Sequence, residues 1–313
     1  MKLLLLASLL AAAAIASGQG FDLKETDASI TITRGGTPVL VYHKAEDPAP
    51  EGADPAFRRS GFIHPLCAPS GAVLTGIRPA DHLHHMGLWH AWVHCVFKGQ
   101  ETDFWNLKAK TGTVRFAKTL SCDKAADHAA FAVEQEQVAL GKDGSQTVVL
   151  REKLSVLARF EGGAHVIDYT IAQKNVSDAR LELPAYRYGG GIALRGPSGW
   201  KLDNSDYLTS EGKTRADSHQ TRARWCAMFG ATDKGDATVV LLGHPSNHDA
   251  PQRLRTWNKE HEGAIFCNFV PIQETAWAIE PGQEITLRYQ VDTLDGKPDA
   301  AQLDARWKAF AGK

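Results

Sequence analysis

The sequence predicts an all-β protein, a large antiparallel β-sandwich with one short C-terminal helix. Three observations predict it. Short runs rich in Val, Ile, Leu, Thr and aromatic residues recur along the chain, separated by Gly, Pro and Asp turns. No helical pattern alternates with them, which argues against a parallel α/β sheet. Only DAAQLDARWKAFAG, near the end, has helical spacing.

Taken in order, the first eighteen residues, MKLLLLASLLAAAAIASG, carry one Lys, an apolar run and then small residues. This is the pattern of a cleaved secretory signal peptide. Residues 1–18 are therefore read as leader and residues 19–313 as a single β-sandwich domain. The expectation is a periplasmic or secreted protein with no membrane attachment after cleavage, because the apolar run is short for a bilayer span. SITITRGGTPVLVYH is a hairpin about Arg34-Gly35-Gly36. Strands are expected at GAVLTGI, GLWHAWVHCVF, GTVRFAKTL, AAFAVEQEQVAL and QTVVLREKLSVLARF. Gly162-Gly163 turn the chain into HVIDYTIAQKNV, and ATVVLLGH, AIFCNFV, TAWAI and EITLRYQV follow. EDPAPEGADPAF (46–57) reads as a Pro-rich surface loop.

Composition removes several function classes. Lys and Arg number 35 against 36 Asp and Glu, with no long basic run, so nucleic acid is a poor partner. Cys67, Cys95, Cys122, Cys226 and Cys267 form no C-x-x-C pair, which argues against a thiolate zinc site and for buried free thiols. No G-x-S-x-G elbow, H-E-x-x-H helix or phosphate loop occurs. Sugar chemistry survives this filter, since its catalytic groups have no short signature.

DHLHHMGLWHAWVHC (81–95) holds His82, His84, His85, His90 and His94, five of the chain's 13 histidines. If 81–85 is extended, His82 and His84 share one face, and His90, Trp92 and His94 align on the strand that follows. Acid–base catalysis needs one or two such imidazoles near neutrality, and His84 and His85 fit it, with Asp81 orienting one of them. A divalent metal needs neutral imidazoles that converge, and His82, His84 and His248 are the candidate ligands. Packing in the core is the simplest reading for His90 or His94.

Four further stretches concentrate polar chemistry. FKGQETDFWN (97–106) sets Asp103 beside Trp105, a carboxylate near a stacking platform. AYRYGGGIALRG (185–196) places Arg187, suited to hold an oxygen, before glycines that permit close approach of a ligand. SEGKTRADSHQTRARWCAMFG (210–230) contributes Glu211. GHPSNHDAPQRLRTW (243–257) contributes Asn247, His248, Arg255 and Trp257 just after a strand, where functional residues gather. With these go Trp89 and Asn268. The catalytic candidates are Asp81, His84, His85, Arg187 and His248. The substrate-binding candidates are Trp89, Asp103, Trp105, Glu211, Asn247, Arg255, Trp257 and Asn268.

PLCAPSGAVLTGIRPADHLHHMGLWHAW, TDFWN, YRYGGGIALRG and GHPSNHDAPQRLRTW together resemble the PmoA-like family, secreted bacterial proteins of unknown function. The likeness covers most of residues 60–270. Its most specific element is D-H-x-H-H-x-G-L-W, met by Asp81, His82, His84, His85, Gly87, Leu88 and Trp89; the family usually has Pro where this chain has Leu83. The family label points to methane oxygenase, but membrane methane monooxygenase subunits are multispanning, and here the only long apolar run is the leader. The resemblance implies a galactose mutarotase-like supersandwich and a carbohydrate partner. Mutarotases of this kind use a His acid and a Glu base. Where many of them read P-G-E this chain has Gln283, so no catalytic Glu is carried over. The expected function is an exported enzyme that cleaves or rearranges a glycoside or oxidised sugar by histidine acid–base chemistry, with a divalent metal left open. The alternatives are an aldose mutarotase or epimerase, and a non-catalytic sugar-binding module.

Overall fold

Two eight-stranded sheets and one four-stranded sheet organise residues 19–313, the part described by the computed structural model; the expected leader at 1–18 lies outside it. The first sheet runs Phe21–Glu25, Ser29–Arg34, Thr37–His43, Phe62–Leu66, Leu88–Trp89, Ala193–Arg195, Phe266–Val270 and Arg253–Thr256. The second runs Ser205–Thr209, Trp225–Thr232, Gly235–Gly243, Glu284–Asp295, Ala164–Asn175, Gln146–Glu161, His128–Leu140 and Gly112–Lys124. The small third sheet runs Trp277–Ile279, Leu181–Leu183, Cys95–Phe97 and Gln100–Thr102. The ladders are antiparallel throughout. The expected antiparallel β-sandwich is what the chain forms.

A period of two buries one face of each long strand. On Gln146–Glu161 it turns Leu154, Val156 and Ala158 inward, and it carries Glu152 inward with them. A buried carboxylate needs partners. Glu152 accepts from His90 Nε2 (2.7 Å), Gln135 Nε2 (2.7 Å) and Gln173 Nε2 (2.8 Å), and Tyr169 Oη lies 3.0 Å from His90 Nδ1. His90 follows a first-sheet strand and its partners sit on the second sheet. The network therefore fastens the two sheets across the core, and His90 is a packing residue, as its simplest reading had it.

The C-terminal helix, Ala300–Ala311, is capped by Asp299, whose Oδ1 accepts from Gln302 N at 2.7 Å. It lays Leu303 and Phe310 against Trp225, Val240 and Leu242 on the outer face of the second sheet. Among the described residues no helix is long and apolar enough to cross a membrane. All five thiols are free, four of them buried, and Cys122 is exposed.

Two expected strands differ. GAVLTGI forms only isolated bridges, Cys67 with Val73 and Ile77 with Met86. GLWHAWVHCVF splits: Leu88–Trp89 pairs in the first sheet, Cys95–Phe97 in the third, and the chain changes sheet between them, with His94 in the left-handed region at φ 49°. His90, Trp92 and His94 therefore do not share a face. Trp92 donates from its indole to Gln173 Oε1 (2.8 Å), whereas His94 contacts Glu101 at the surface and packs on Tyr186.

Candidate functional site

Residues 79–85 do not extend. Two successive turns close, His82 N donating to Pro79 O and His85 N to His82 O, both at 2.9 Å. This brings the three imidazoles onto one another. Ring centres of His82 and His85 are 4.6 Å apart, those of His84 and His85 4.8 Å, and those of His82 and His84 5.5 Å. The cluster sits on the outward face of the first sheet. There Arg195 and Phe266 are register partners, Trp257 packs 4.9 Å from Phe266, and the Arg195 guanidinium lies 4.8 Å over the Trp257 ring. His85 forms the bottom layer, nearly parallel to Phe266 at 4.8 Å and only 2% exposed.

A second segment supplies a fourth imidazole. His261, Glu262 and Gly263 take φ of 53°, 58° and 74°, three left-handed residues in succession, two of them not glycine. Strain of that kind persists only where the surroundings impose it. The turn holds His261 4.2 Å from the Trp257 ring and 4.6 Å from that of His82. Asp81 joins the two halves. Its Oδ2 is 2.8 Å from Nδ1 of His261 and 3.0 Å from Nδ1 of His82, and its Oδ1 is 3.6 Å from Nη2 of Arg195. The ligand atoms of Asp81, His82 and His261 lie within 4.8 Å of one another. Asp81, Arg195 and His261 open onto a cleft of about 440 Å³, which Pro79, Ser198 and Lys201 also line.

The electrostatics follow from this packing. Burial pushes the Asp81 carboxyl up, but the His82 contact and the Arg195 charge outweigh it, leaving Asp81 below its ordinary value and ionised. Burial lowers His82, with Asp81 opposing in part. It drives His84 down to about 3, helped by the charges of His82 and Arg59, and it holds His85 well below its ordinary value too. His84 and His85 are neutral imidazoles at physiological pH.

The candidates from sequence separate into groups. Asp81, His82, His84, His85, Trp89 and Trp257 converge. Within that set Trp89 is fully buried, as is Trp105, which stands 5.1 Å from it. Neither offers a face for a sugar, and their indole N–H groups have no partner among the described residues. Trp257 is covered by its histidine and arginine neighbours. His248 stands apart from the histidine cluster, stacked on Trp277 at 4.0 Å, so the His82, His84 and His248 ligand set is not assembled; the ligand atoms that converge belong to Asp81, His82 and His261, without His84.

Other candidates serve the backbone. Asp103 accepts from the backbone N–H groups of Trp105 and Asn106 and from the Asn106 amide. Asn247 exchanges hydrogen bonds with the Arg288 backbone. Asn268, fully buried, accepts from Gly189 N (2.7 Å) and donates to the carbonyls of Gly191, Ile192 and Phe269. Glu211 is an exposed neighbour of Arg224, which also reaches Asp304 on the C-terminal helix. The glycine run before Ile192 answers close approach by the chain itself: a Cβ on Gly191 would stand 2.1 Å from Phe269 O. Arg187 and Arg255 lie beside the cluster rather than in it. His261 and Arg195 were missed. His261 carries no local signal, being a single His in the charged turn NKEHEG, and Arg195 ends a short strand like many surface arginines.

A family model described as a family of unknown function (DUF6807) matches residues 29–308; its description does not carry the PmoA-like name. No curated protein matches the sequence. Among solved structures, a galactose mutarotase-related enzyme from Lactobacillus acidophilus is 8% identical with a TM-score of 0.41, covering 89% of this chain and 99% of its own. A galactose mutarotase-like protein from Clostridium acetobutylicum is 8% identical with a TM-score of 0.42, at the same coverages. An α-galactosidase from Geobacillus stearothermophilus is 11% identical with a TM-score of 0.37, covering 88% of this chain and 40% of its own.

Proposed function

The chain belongs to the DUF6807 family, and we propose that it is an exported carbohydrate-active enzyme whose acid–base chemistry is carried by His82 and His261 about the Asp81 carboxylate. The observation that carries the reading is that single oxygen, Asp81 Oδ2, shared by two imidazoles, with Asp81 and His261 lining an open cleft. An ionised carboxylate so placed orients the rings and stabilises whichever becomes cationic. One imidazole then takes a proton from a sugar hydroxyl or from carbon beside a carbonyl, and the other returns a proton to the departing or ring oxygen. His84, in ring contact with His82, is held neutral by burial and packs against that ring rather than exchanging a proton. The leader at 1–18 supports export, and the sequence resemblance supports a sugar as substrate.

A second reading rests on its own observation. Both Nδ1 atoms are at hydrogen-bond distance from Asp81, yet His82 Nδ1 is buried without an aligned hydrogen bond to any acceptor. Donor atoms that converge without bonding one another suit a divalent ion held by two imidazoles and a carboxylate. Such an ion would supply Lewis-acid polarisation of a sugar oxygen.

A screen of glycosides and keto-glycosides, read for bond cleavage and for anomer exchange, tests the proposal together with elemental analysis of the purified protein. Turnover is expected, reduced by about 10²–10⁴ in His82→Gln and His261→Gln variants that keep the wild-type melting temperature. Anomer exchange without cleavage would mark a mutarotase or epimerase. Stoichiometric metal that disappears in His261→Gln would replace the metal-free form of the reading. Folded variants with unchanged turnover would remove both forms.

A further inference from the structure

A basic pair without an acidic partner lies one row along the sheet from the histidines. Arg255 is in register with Asn268, Asn268 with Ala193, and Ala193 with Trp89. The adjacent row on the same face holds Arg195, Phe266 and Trp257, the floor beneath the imidazoles. Two strand residues separate the rows, about 6.7 Å. Arg255 is half-buried and donates from Nη1 to His219 Nε2 at 2.9 Å, its one hydrogen bond to another side chain. Arg187 is exposed, its guanidinium 5.6 Å from the Tyr188 ring and 5.9 Å from the Tyr186 ring. Gln273 ties the two segments together, its Nε2 donating to Arg187 O at 3.1 Å and to Leu254 O at 3.5 Å.

Among the described residues no carboxylate lies within ion-pair distance of Arg187 or Arg255. Glu260 is near enough for its charge to be felt at Arg255, but its Oε2 accepts from Asn258 N at 2.6 Å and forms no ion pair there. Burial, and after it the charge of Arg187, pushes the Arg255 guanidinium below its ordinary value. Two like charges drawn together in a partly desolvated place oppose one another unless an anion sits between them. A guanidinium also offers five donors in a fork that matches an anionic oxygen pair, and the protein uses few of them here.

We propose that Arg187 and Arg255 form an anion subsite, and that the sugar handled at the histidine centre is acidic, placing its carboxylate or sulfate ester on this pair. The proposal rests on the carbohydrate reading above. The half-buried rings of Tyr186 and Tyr188 beside Arg187 supply an apolar wall of the kind a sugar face packs against.

Equilibrium binding of the full chain to galacturonate, glucuronate, galactose 6-sulfate, galactose and glucose tests this, with Arg187→Gln, Arg255→Gln and, as a surface control, Arg224→Gln. The acidic sugars should bind roughly tenfold or more tightly than their neutral parents. Either arginine variant should erase most of that margin and leave neutral sugars unchanged, while Arg224→Gln keeps it. The comparison of uronates with the sulfate ester identifies the anion. Equal binding of acidic and neutral sugars, binding of none, or a margin that survives both site variants would overturn the subsite. His261→Gln should lose turnover and keep the margin, so failure of the catalytic assignment and failure of the subsite give different results.

Discussion

Asp81 Oδ2 and His261 Nδ1 stand 2.8 Å apart although most of the chain separates them in sequence, and a run of left-handed residues holds the second against the first. Gly263 closes that run at φ 74°, where an added Cβ would meet Leu202 Cγ at 2.3 Å. Gly263→Ala should therefore push the turn off Leu202 and carry His261 away from Asp81. The expected result is a loss of turnover approaching that of His261→Gln, with the sheets still folded by circular dichroism. Wild-type turnover in Gly263→Ala would separate the turn from the chemistry.

The core network makes a stability prediction. Removing Glu152 leaves His90, Gln135 and Gln173 with buried donors facing nothing. Leaving buried donors unpaired costs about 1–3 kcal/mol for each group. Glu152→Ala should lose that much in urea denaturation, whereas Glu101→Ala, which removes the surface partner of His94, should change stability by no more than about 1 kcal/mol. Similar losses in the two variants would contradict the network's role.

Asn268 distinguishes a backbone clamp from a sugar contact. Its amide satisfies Gly189 N and three carbonyls in a fully buried place. Asn268→Ala should cost about 1–3 kcal/mol of folding stability. A variant of unchanged stability that binds sugar less well would return Asn268 to the binding site.

Asp292 gives a pH dependence. Burial raises its carboxyl from the ordinary 3.8 to about 7, although Arg306 and Gln290 pull the other way. Between about pH 4 and 7 the folded protein keeps a proton that the unfolded chain has released, so this group's contribution to stability falls as pH rises through that window. Asp292→Asn should show a stability difference from wild type that moves in the variant's favour from pH 4 to pH 7. Urea titrations across that range would measure it, and a flat difference would contradict the assignment.

Repeating patterns were legible and convergences were not. The Arg34-Gly35-Gly36 hairpin, the long second-sheet strands and the capped C-terminal helix all follow from local periodicity and turn chemistry, and the structure forms them. The histidine stretch announced a site but misled about its shape. Read as extended, 81–85 pairs His82 with His84; folded through two turns, it stacks His82 on His85. The hydrogen bonds that Pro79 O and His82 O accept decide this, and a period of two cannot express them. Polar residues such as Asp103, Asn247 and Asn268 looked like ligand contacts because side chains that satisfy backbone use the same chemistry. His261 was invisible for the opposite reason, since only tertiary contact gives it meaning.

The order of strands in the first sheet has one more consequence. Leu88–Trp89 is joined to Phe266–Val270 only through Ala193–Arg195, and the edge strand beyond, Arg253–Thr256, precedes the strand it pairs with. The contacts of His85 and Arg195 with Phe266 and Trp257 thus close long loops, the kind of contact that forms late and slowly. A nascent chain lacking residues beyond 250 holds Asp81 and His82 without Trp257 or His261. Such a chain lacks the His261 half of the Asp81 cluster, which comes together only with the last pairings of this sheet.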